Sequence, residues 1–384
     1  MSLDLRRVAI ACAAVAAFTN LYAPQAVLPL LAGEFAVRPA EISMIMTACT
    51  LAVALVAPFS GALADVLGRK RVIVWSMIAL VAPTMLLAVA PDLPWLIALR
   101  FMQGLLLPPI FAVMVTYIGE EWPASEATRM TGIYISAGSF GGFLGRFLTG
   151  LLAEGIGWRA AFVVEGLFTL ALAVGVILML PRERQFVRAS NLRAALAQML
   201  RHFRNPQLIA TFAIGFGVLF NFIAAFTYVN FYLAEAPFSL SPALLGSIFV
   251  IYLLGTVLAP FTGRAVARFG RRRFVLAMLA LWLGGMALTL IPWLPAIIFG
   301  LALCVVCGFY TQACSTSYVA ITAREGASTA VGLYVTAFYI GGSLGALLPG
   351  IAWNLGHWPA VVAVVATMLG AMAAIVRLSW PGGR

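Results

Sequence analysis

Residues 132–162 return in outline 200 positions later, as Gly132/Gly332, Tyr134/Tyr334, Ala137/Ala337, Gly141-Gly142/Gly341-Gly342, Gly145/Gly345, Gly150/Gly350, Trp158/Trp358 and Ala160/Ala360. A second echo, at an offset of 202, joins Ala57-Pro58-Phe59 and Gly61 to Ala259-Pro260-Phe261 and Gly263. The same offset joins Gly68-Arg69-Lys70-Arg71 to Gly270-Arg271-Arg272-Arg273. The chain therefore repeats one unit twice, in the same order. Its 384 residues are 63% hydrophobic and 10% charged, which rules out a globule with a polar surface and makes lipid the expected solvent.

A helix needs about 20 apolar residues to cross the hydrocarbon core. Twelve such stretches are expected, near 8–31, 41–64, 72–90, 95–118, 127–153, 158–180, 207–233, 242–266, 274–291, 293–318, 327–354 and 358–379. The fold class is an all-α polytopic membrane protein, twelve transmembrane helices in two pseudo-symmetric six-helix bundles. The bundles span 1–180 and 207–384. Between them, 181–206 is a cytoplasmic linker in which Leu192, Ala195, Leu196, Met199, Leu200 and Phe203 recur at helical spacing, predicting an amphipathic helix on the inner membrane surface.

Basic residues check the topology, because Lys and Arg collect in cytoplasmic loops. With the N-terminus inside, the inner segments take Arg6, Arg7, Arg69 to Arg71, Arg129, the arginines from Arg182 to Arg204, Arg264, Arg268, Arg271 to Arg273, Arg324, Arg377 and Arg384. The outer face keeps Arg38 and Arg159. Both termini are cytoplasmic on this reading, and the net charge of +11 is a topology signal that calls for no nucleic-acid partner. The apolar N-terminal run continues through Asn20, Tyr22, Pro24, Gln25 and Pro29, as a retained first span and not a cleaved signal. Cys304 and Cys307 have metal or redox spacing, yet sit mid-span without a His or carboxylate beside them, so no metal or cofactor is expected.

Gly61-Ala-Leu-Ala-Asp65-Val-Leu-Gly68-Arg69-Lys70-Arg71 closely resembles the loop motif between the second and third helices of the major facilitator superfamily. Arg100-x-x-Gln103-Gly104 resembles a fourth-helix signature most familiar in its drug:proton antiporter branch. Gly138-Ser139-Phe140-Gly141-Gly142 resembles the Gly-Pro-x-Gly-Gly element of exporters, with Ser139 in the proline position. The resemblance covers the whole chain and implies a solute carrier rather than an enzyme. Such a carrier alternates access to a midplane site between its halves, acts as a monomer in a bacterial inner membrane, and has a small organic molecule, protons and the lipid bilayer as partners. Proton-coupled export is the leading reading, and a facilitator or uptake carrier for an organic anion or metabolite is the alternative. The resemblance also implies a conformational latch of Gly61, Asp65, Gly68, Arg69 and Arg71, in which Asp65 meets the N-terminus of the eleventh span near Gly326 to Thr329.

Charged residues buried in lipid are functional candidates by default. Arg100, Arg146 and Glu165 meet that description. Arg146 and Glu165 each lie about 14 Å from the turn between the fifth and sixth spans at 1.5 Å per residue, so an ion pair between them is expected. Proton coupling is assigned to Glu165, with Arg100 tuning it and Asp65 as second candidate. The candidate solute-binding set is Asn20, Tyr22, Gln25, Arg100, Gln103, Arg146, Asn221, Tyr228, Tyr252, Tyr310, Gln312, Tyr334 and Tyr339. With two cations and no matching acid on the spans that line the family's cavity, neutral or anionic solutes are favoured over lipophilic cations.

Overall fold

The computed structural model of the protein describes residues 5–183, 201–323 and 327–381. They trace as helices α1 (Leu5–Glu34), α2 (Pro39–Leu67), α3 (Arg69–Val89), α4 (Leu93–Glu121), α5 (Ala124–Ile156), α6 (Trp158–Met179), α7 (Pro206–Ala234), α8 (Pro242–Phe269), α9 (Arg271–Leu288), α10 (Leu294–Thr322), α11 (327–355) and α12 (358–379). Nine helices among the described residues are long and apolar enough to cross a membrane, the last of these being α11 and α12 run together. The rods α5, rich in glycine and with Arg146 near its middle, and α9, which opens on Arg271 to Arg273, are less apolar. The predicted linker helix lies largely outside the described residues, as does Gly326.

Where the rods break, the sequence says why. Pro24 interrupts α1 in a 3-10 stretch, Ala23–Val27, because a proline has no N–H to donate back along the helix. The turns into α3 and α9 pivot on Gly68 (φ 92°) and Gly270 (φ 78°), the repeat-related glycines, in a region a side chain disfavours. Between α5 and α6 the pivot is Gly157 (φ 89°), whereas its counterpart between α11 and α12 is His357 (φ 49°).

The chain packs as two compact units, one holding 5–36, 48–183 and 241–249, the other holding 37–47, 201–240 and 250–381. Each unit is thus one sequence half plus the first turns of a helix from the other half. In the first unit α1 crosses α5 closely: a Cβ at Gly141 or Gly145 would run into the backbone of Val15 or Thr19, and Thr19 Oγ1 donates to the Gly141 carbonyl at 3.1 Å. In the second unit α7 crosses α11 the same way, with Gly341 and Gly345 against the backbone of Phe216 and Phe220. Small residues spaced four apart let backbones approach where lipid supplies no hydrophobic drive. The repeat seen in the sequence is therefore largely this one crossing, used twice.

The second unit is otherwise apolar and aromatic. Phe222 packs on Trp282, Tyr252 and Phe309 at ring separations of 5.2, 5.8 and 5.8 Å. A smaller cluster of Leu208, Phe212, Val319, Ala330, Leu333 and Tyr334 joins one end of α7 to α10 and α11. Among the described residues, the arginines and the glutamate buried at mid-span, Arg100, Arg146 and Glu165, lie in the first unit, which makes it the place to look for coupling chemistry.

Candidate functional site

The break at Pro24 builds the first site. Asn20, four residues earlier, has a carbonyl that would ordinarily accept from residue 24, which has no N–H to give. Arg100 from α4 supplies the donor: Nη1 reaches the Asn20 carbonyl at 2.7 Å and Nη2 the Leu21 carbonyl at 2.7 Å. Nη1 also donates to Gln103 Oε1 at 2.6 Å, one helical turn along α4. From there a chain of side chains crosses the unit. Gln103 Nε2 donates to Thr84 Oγ1 (2.7 Å), Thr84 to Asn20 Oδ1 (2.6 Å), and Asn20 Nδ2 to Thr169 Oγ1 (2.8 Å). Thr169 in turn donates to the backbone carbonyl of Glu165 at 2.8 Å. Four helices, α1, α3, α4 and α6, are tied by one polar network with every member at most 1% exposed.

Glu165 stands at the edge of this network, 3% exposed. Neither of its carboxyl oxygens has a hydrogen-bond partner among the described residues. An ionised carboxylate without donors is costly in such surroundings. The expected ion pair between Arg146 and Glu165 does not form. Rotational phase separates them: Glu165 lies one turn before Thr169, which meets Asn20 of α1, while Arg146 donates to Gln25 and Gly142.

Arg146 makes the second site. Nε donates to Gln25 Oε1 (2.8 Å) and Nη1 to the Gly142 carbonyl (2.9 Å). The guanidinium carbon lies over two rings, 4.2 Å from the Tyr22 centroid and 4.3 Å from that of Phe249. Desolvated cation–π contacts are worth about 2 kcal/mol each. Gln25 is presented by the same 3-10 stretch that Pro24 creates, so one proline organises both sites.

The loop motif forms a third cluster at the other end of the first unit. Arg69, buried, pairs with Asp65 one turn back on α2 and takes Glu120 of α4 in a two-point grip, Nε to Oε2 at 3.1 Å and Nη2 to Oε1 at 2.8 Å. It also donates to the Gly61 carbonyl at 3.3 Å. Arg71 is exposed. Asp65 is thus bound within its own unit, and Glu120 is the partner that sequence motifs alone did not mark. Arg69→Ala and Glu120→Ala are each expected to lower thermal stability in detergent. Arg69→Ala should cost more, because it strands two carboxylates, and a double-mutant cycle should give a coupling of about 1–3 kcal/mol between the pair. Independent, additive losses would mean the grip is incidental.

In the second unit the candidate residues are dispersed. Tyr228 donates to the Ala346 carbonyl at 2.7 Å, bracing α7 on α11. Tyr334 shares a 2.7 Å hydrogen bond with Ser315. Asn221 Nδ2 reaches Met372 Sδ of α12 at 3.4 Å. Tyr252 and Tyr310 are half-buried against Phe226 and Phe274, Gln312 is half-buried, and Tyr339 is buried beside Phe338. Asn20, Arg100 and Gln103 come together in the first site, and Tyr22, Gln25 and Arg146 in the second. Thr84, Thr169 and Phe249 complete these clusters without any sequence signal beyond their place on facing helices.

A duplicated helical bundle whose buried charges are gathered in one unit, beside a kinked first helix, is the build of a multi-pass membrane transporter. A family model described as Major Facilitator Superfamily matches residues 10–237 and 219–382, and the chain belongs to that superfamily. It is 32% identical over 359 residues to the inner membrane transport protein YnfM of Escherichia coli (strain K12), covering 93% of this chain and 86% of the relative. It is 30% identical over 353 residues to the uncharacterized MFS-type transporter YybF of Bacillus subtilis (strain 168), covering 92% and 87%. Among solved structures, the nucleoside transporter NupG superposes with a TM-score of 0.78 at 13% identity, over 98% of this chain and 100% of that one. The protein is a transporter of small molecules and not an enzyme.

Proposed function

We propose that this transporter exports a small organic compound across a bacterial inner membrane in exchange for protons, with both termini cytoplasmic and a single chain as the working unit. The halves 1–180 and 207–384 are the moving bodies, joined by the linker 181–206. The observation that carries the reading is Glu165, a buried carboxyl without a donor among the described residues, held at the end of a network that reaches the broken first helix. Such a group can release a proton when the network opens and regain it when it closes. Kinship with an inner-membrane transport protein supports the location, and resemblance to the drug:proton antiporters supports the exchange.

The alternative, a facilitator or uptake carrier for an organic anion or metabolite, would use Arg100 and Arg146 to hold the charge. Both guanidiniums instead donate to groups of the protein, and that of Arg146 also lies over the Tyr22 and Phe249 rings. The test starts from a thermal-shift screen of purified protein against neutral, anionic and cationic compounds, since a bound ligand raises apparent stability by mass action. A stabilising compound is then placed on one side of proteoliposomes containing a trapped pH dye. Solute moving down its gradient is expected to drive protons the opposite way; solute flux without proton movement would replace exchange by facilitation.

A further inference from the structure

The second site extends beyond Arg146. Along α5, residues 142, 146, 150 and 154 follow one another at intervals of four, on one face of the helix. That face receives the first turns of α8. Phe249 covers the Arg146 guanidinium. A Cβ at Gly246 would strike the Arg146 carbonyl, and one at Gly150 would strike the carbonyl of Pro242. At the end of the row Glu154 Oε2 accepts the Ala243 N–H at 3.1 Å, and its carboxylate also takes the Ser241 hydroxyl. The start of α8, whose N–H groups lack helical partners, is thereby capped by a side chain of α5.

The gripped piece is physically separable from the rest of its helix. Pro242–Ile248 is one short α-helical piece, a 3-10 turn at Phe249–Ile251 follows, and the α-helix resumes at Tyr252. The boundary between the two compact units falls at that same turn, between 249 and 250. The matching segment of the other half, 37–47, makes different contacts: Thr47 donates to the Ser343 carbonyl at 3.1 Å, and Ala40 lies against Gly350.

We propose that Arg146 and Glu154 are positioning residues that clasp the start of α8 to α5, and that release of this clasp is the step that opens the transporter toward the outer side. Arg146 then acts on Phe249 and not on the passenger, while Gln25 and Tyr22 carry movements of the broken first helix to the clasp. The proposal rests on the alternating-access reading above. It adds a named gate to that reading, with an aromatic pair at one end and a carboxylate cap at the other.

Two measurements test it. Hydrogen exchange on protein in nanodiscs needs no solute. Glu154→Ala and Phe249→Ala are expected to speed exchange of the 241–249 amides about tenfold while leaving 141–145 unchanged, and Glu154→Gln, which keeps an acceptor oxygen, should stay close to the parent. Arg146→Lys should behave like Arg146→Ala, because an ammonium cannot spread over two rings. Unchanged protection in all the alanine variants would overturn the clasp.

The second measurement uses Glu154→Cys with Ala243→Cys in a background lacking the five native cysteines. Bridging the pair with a short bis-methanethiosulfonate reagent is expected to stop counterflow of the compound chosen by thermal shift, and dithiothreitol to restore it. Counterflow that persists through the bridge would overturn the gating role. Loss of proton movement with an intact clasp would instead fail the exchange reading alone, so the two stand or fall separately.

Discussion

Glu165→Gln is expected to abolish accumulation of solute driven by a pH gradient while leaving solute-for-solute counterflow within about twofold of the parent. The glutamine side chain copies the size and neutrality of the protonated acid and can never release a proton. Since neither Glu165 oxygen is held by a donor among the described residues, the substitution breaks no hydrogen bond among them. The Thr169 hydroxyl bonds the backbone carbonyl of residue 165, which is unaffected. Folding and the Arg100 network should therefore survive, and the loss should be confined to coupling. One pH unit is worth about 1.4 kcal/mol per proton, so a one-proton exchanger sustains roughly a tenfold solute gradient. The variant should settle at a ratio near one, read in proteoliposomes as the solute ratio at steady state. Gradient-driven accumulation equal to the parent would remove Glu165 from the mechanism and leave Asp65 as the candidate, although Asp65 is already paired to Arg69.

How much of this was legible in the sequence divides along physical lines. The fold was legible because the two strongest signals, apolar stretches long enough to span lipid and glycines recurring 200 positions apart, report backbone facts: where helices lie and where they cross. Gly141 and Gly145, with Gly341 and Gly345, carry the same crossing in both units. The charged residues worth watching were legible for the same reason, since burial in lipid singles them out. Their partners were not. Depth along a helix follows from counting residues, and it put Arg146 level with Glu165. Azimuth depends on how each helix is rotated by its neighbours, and it set Thr169 of α6 against Asn20, and Arg146 against Gln25, Tyr22 and Phe249. One signal was present and went unused. A proline at 24 leaves the carbonyl of residue 20 without a donor, and a buried arginine on another span is the group suited to fill that vacancy. Glu120 carried a weaker signal, as an acid at the C-terminal end of α4, the end that meets the loop motif.

The largest loss of stability is expected from Arg100→Ala. The substitution removes donors from the Asn20 and Leu21 carbonyls and from Gln103 Oε1, all buried. An unsatisfied buried acceptor costs about 1–3 kcal/mol, and breaking a buried charged network typically costs 3–5 kcal/mol in all. Gln103 would then lose the contact that orients its amide toward Thr84, so the link from α4 to α3 and α1 should slacken as well. Arg100→Lys should recover only part of this. A lysine ammonium is a single point, whereas Nη1 and Nη2 of the guanidinium serve two successive carbonyls at once. A second substitution separates this account from simple loss of packing. Pro24→Ala restores an N–H four residues after Asn20, so in the Arg100→Ala background it should return about 1 kcal/mol, seen as a partial recovery of the thermal midpoint in detergent. In the parent, the same change should destabilise, because the new N–H competes with Arg100 for the Asn20 carbonyl and weakens the break that presents Gln25 to Arg146. The opposite signs of Pro24→Ala in the two backgrounds follow only if the arginine is the missing donor of the kinked helix. Equal effects in both would mean that Arg100 is held by its surroundings and not by the carbonyls the proline left open.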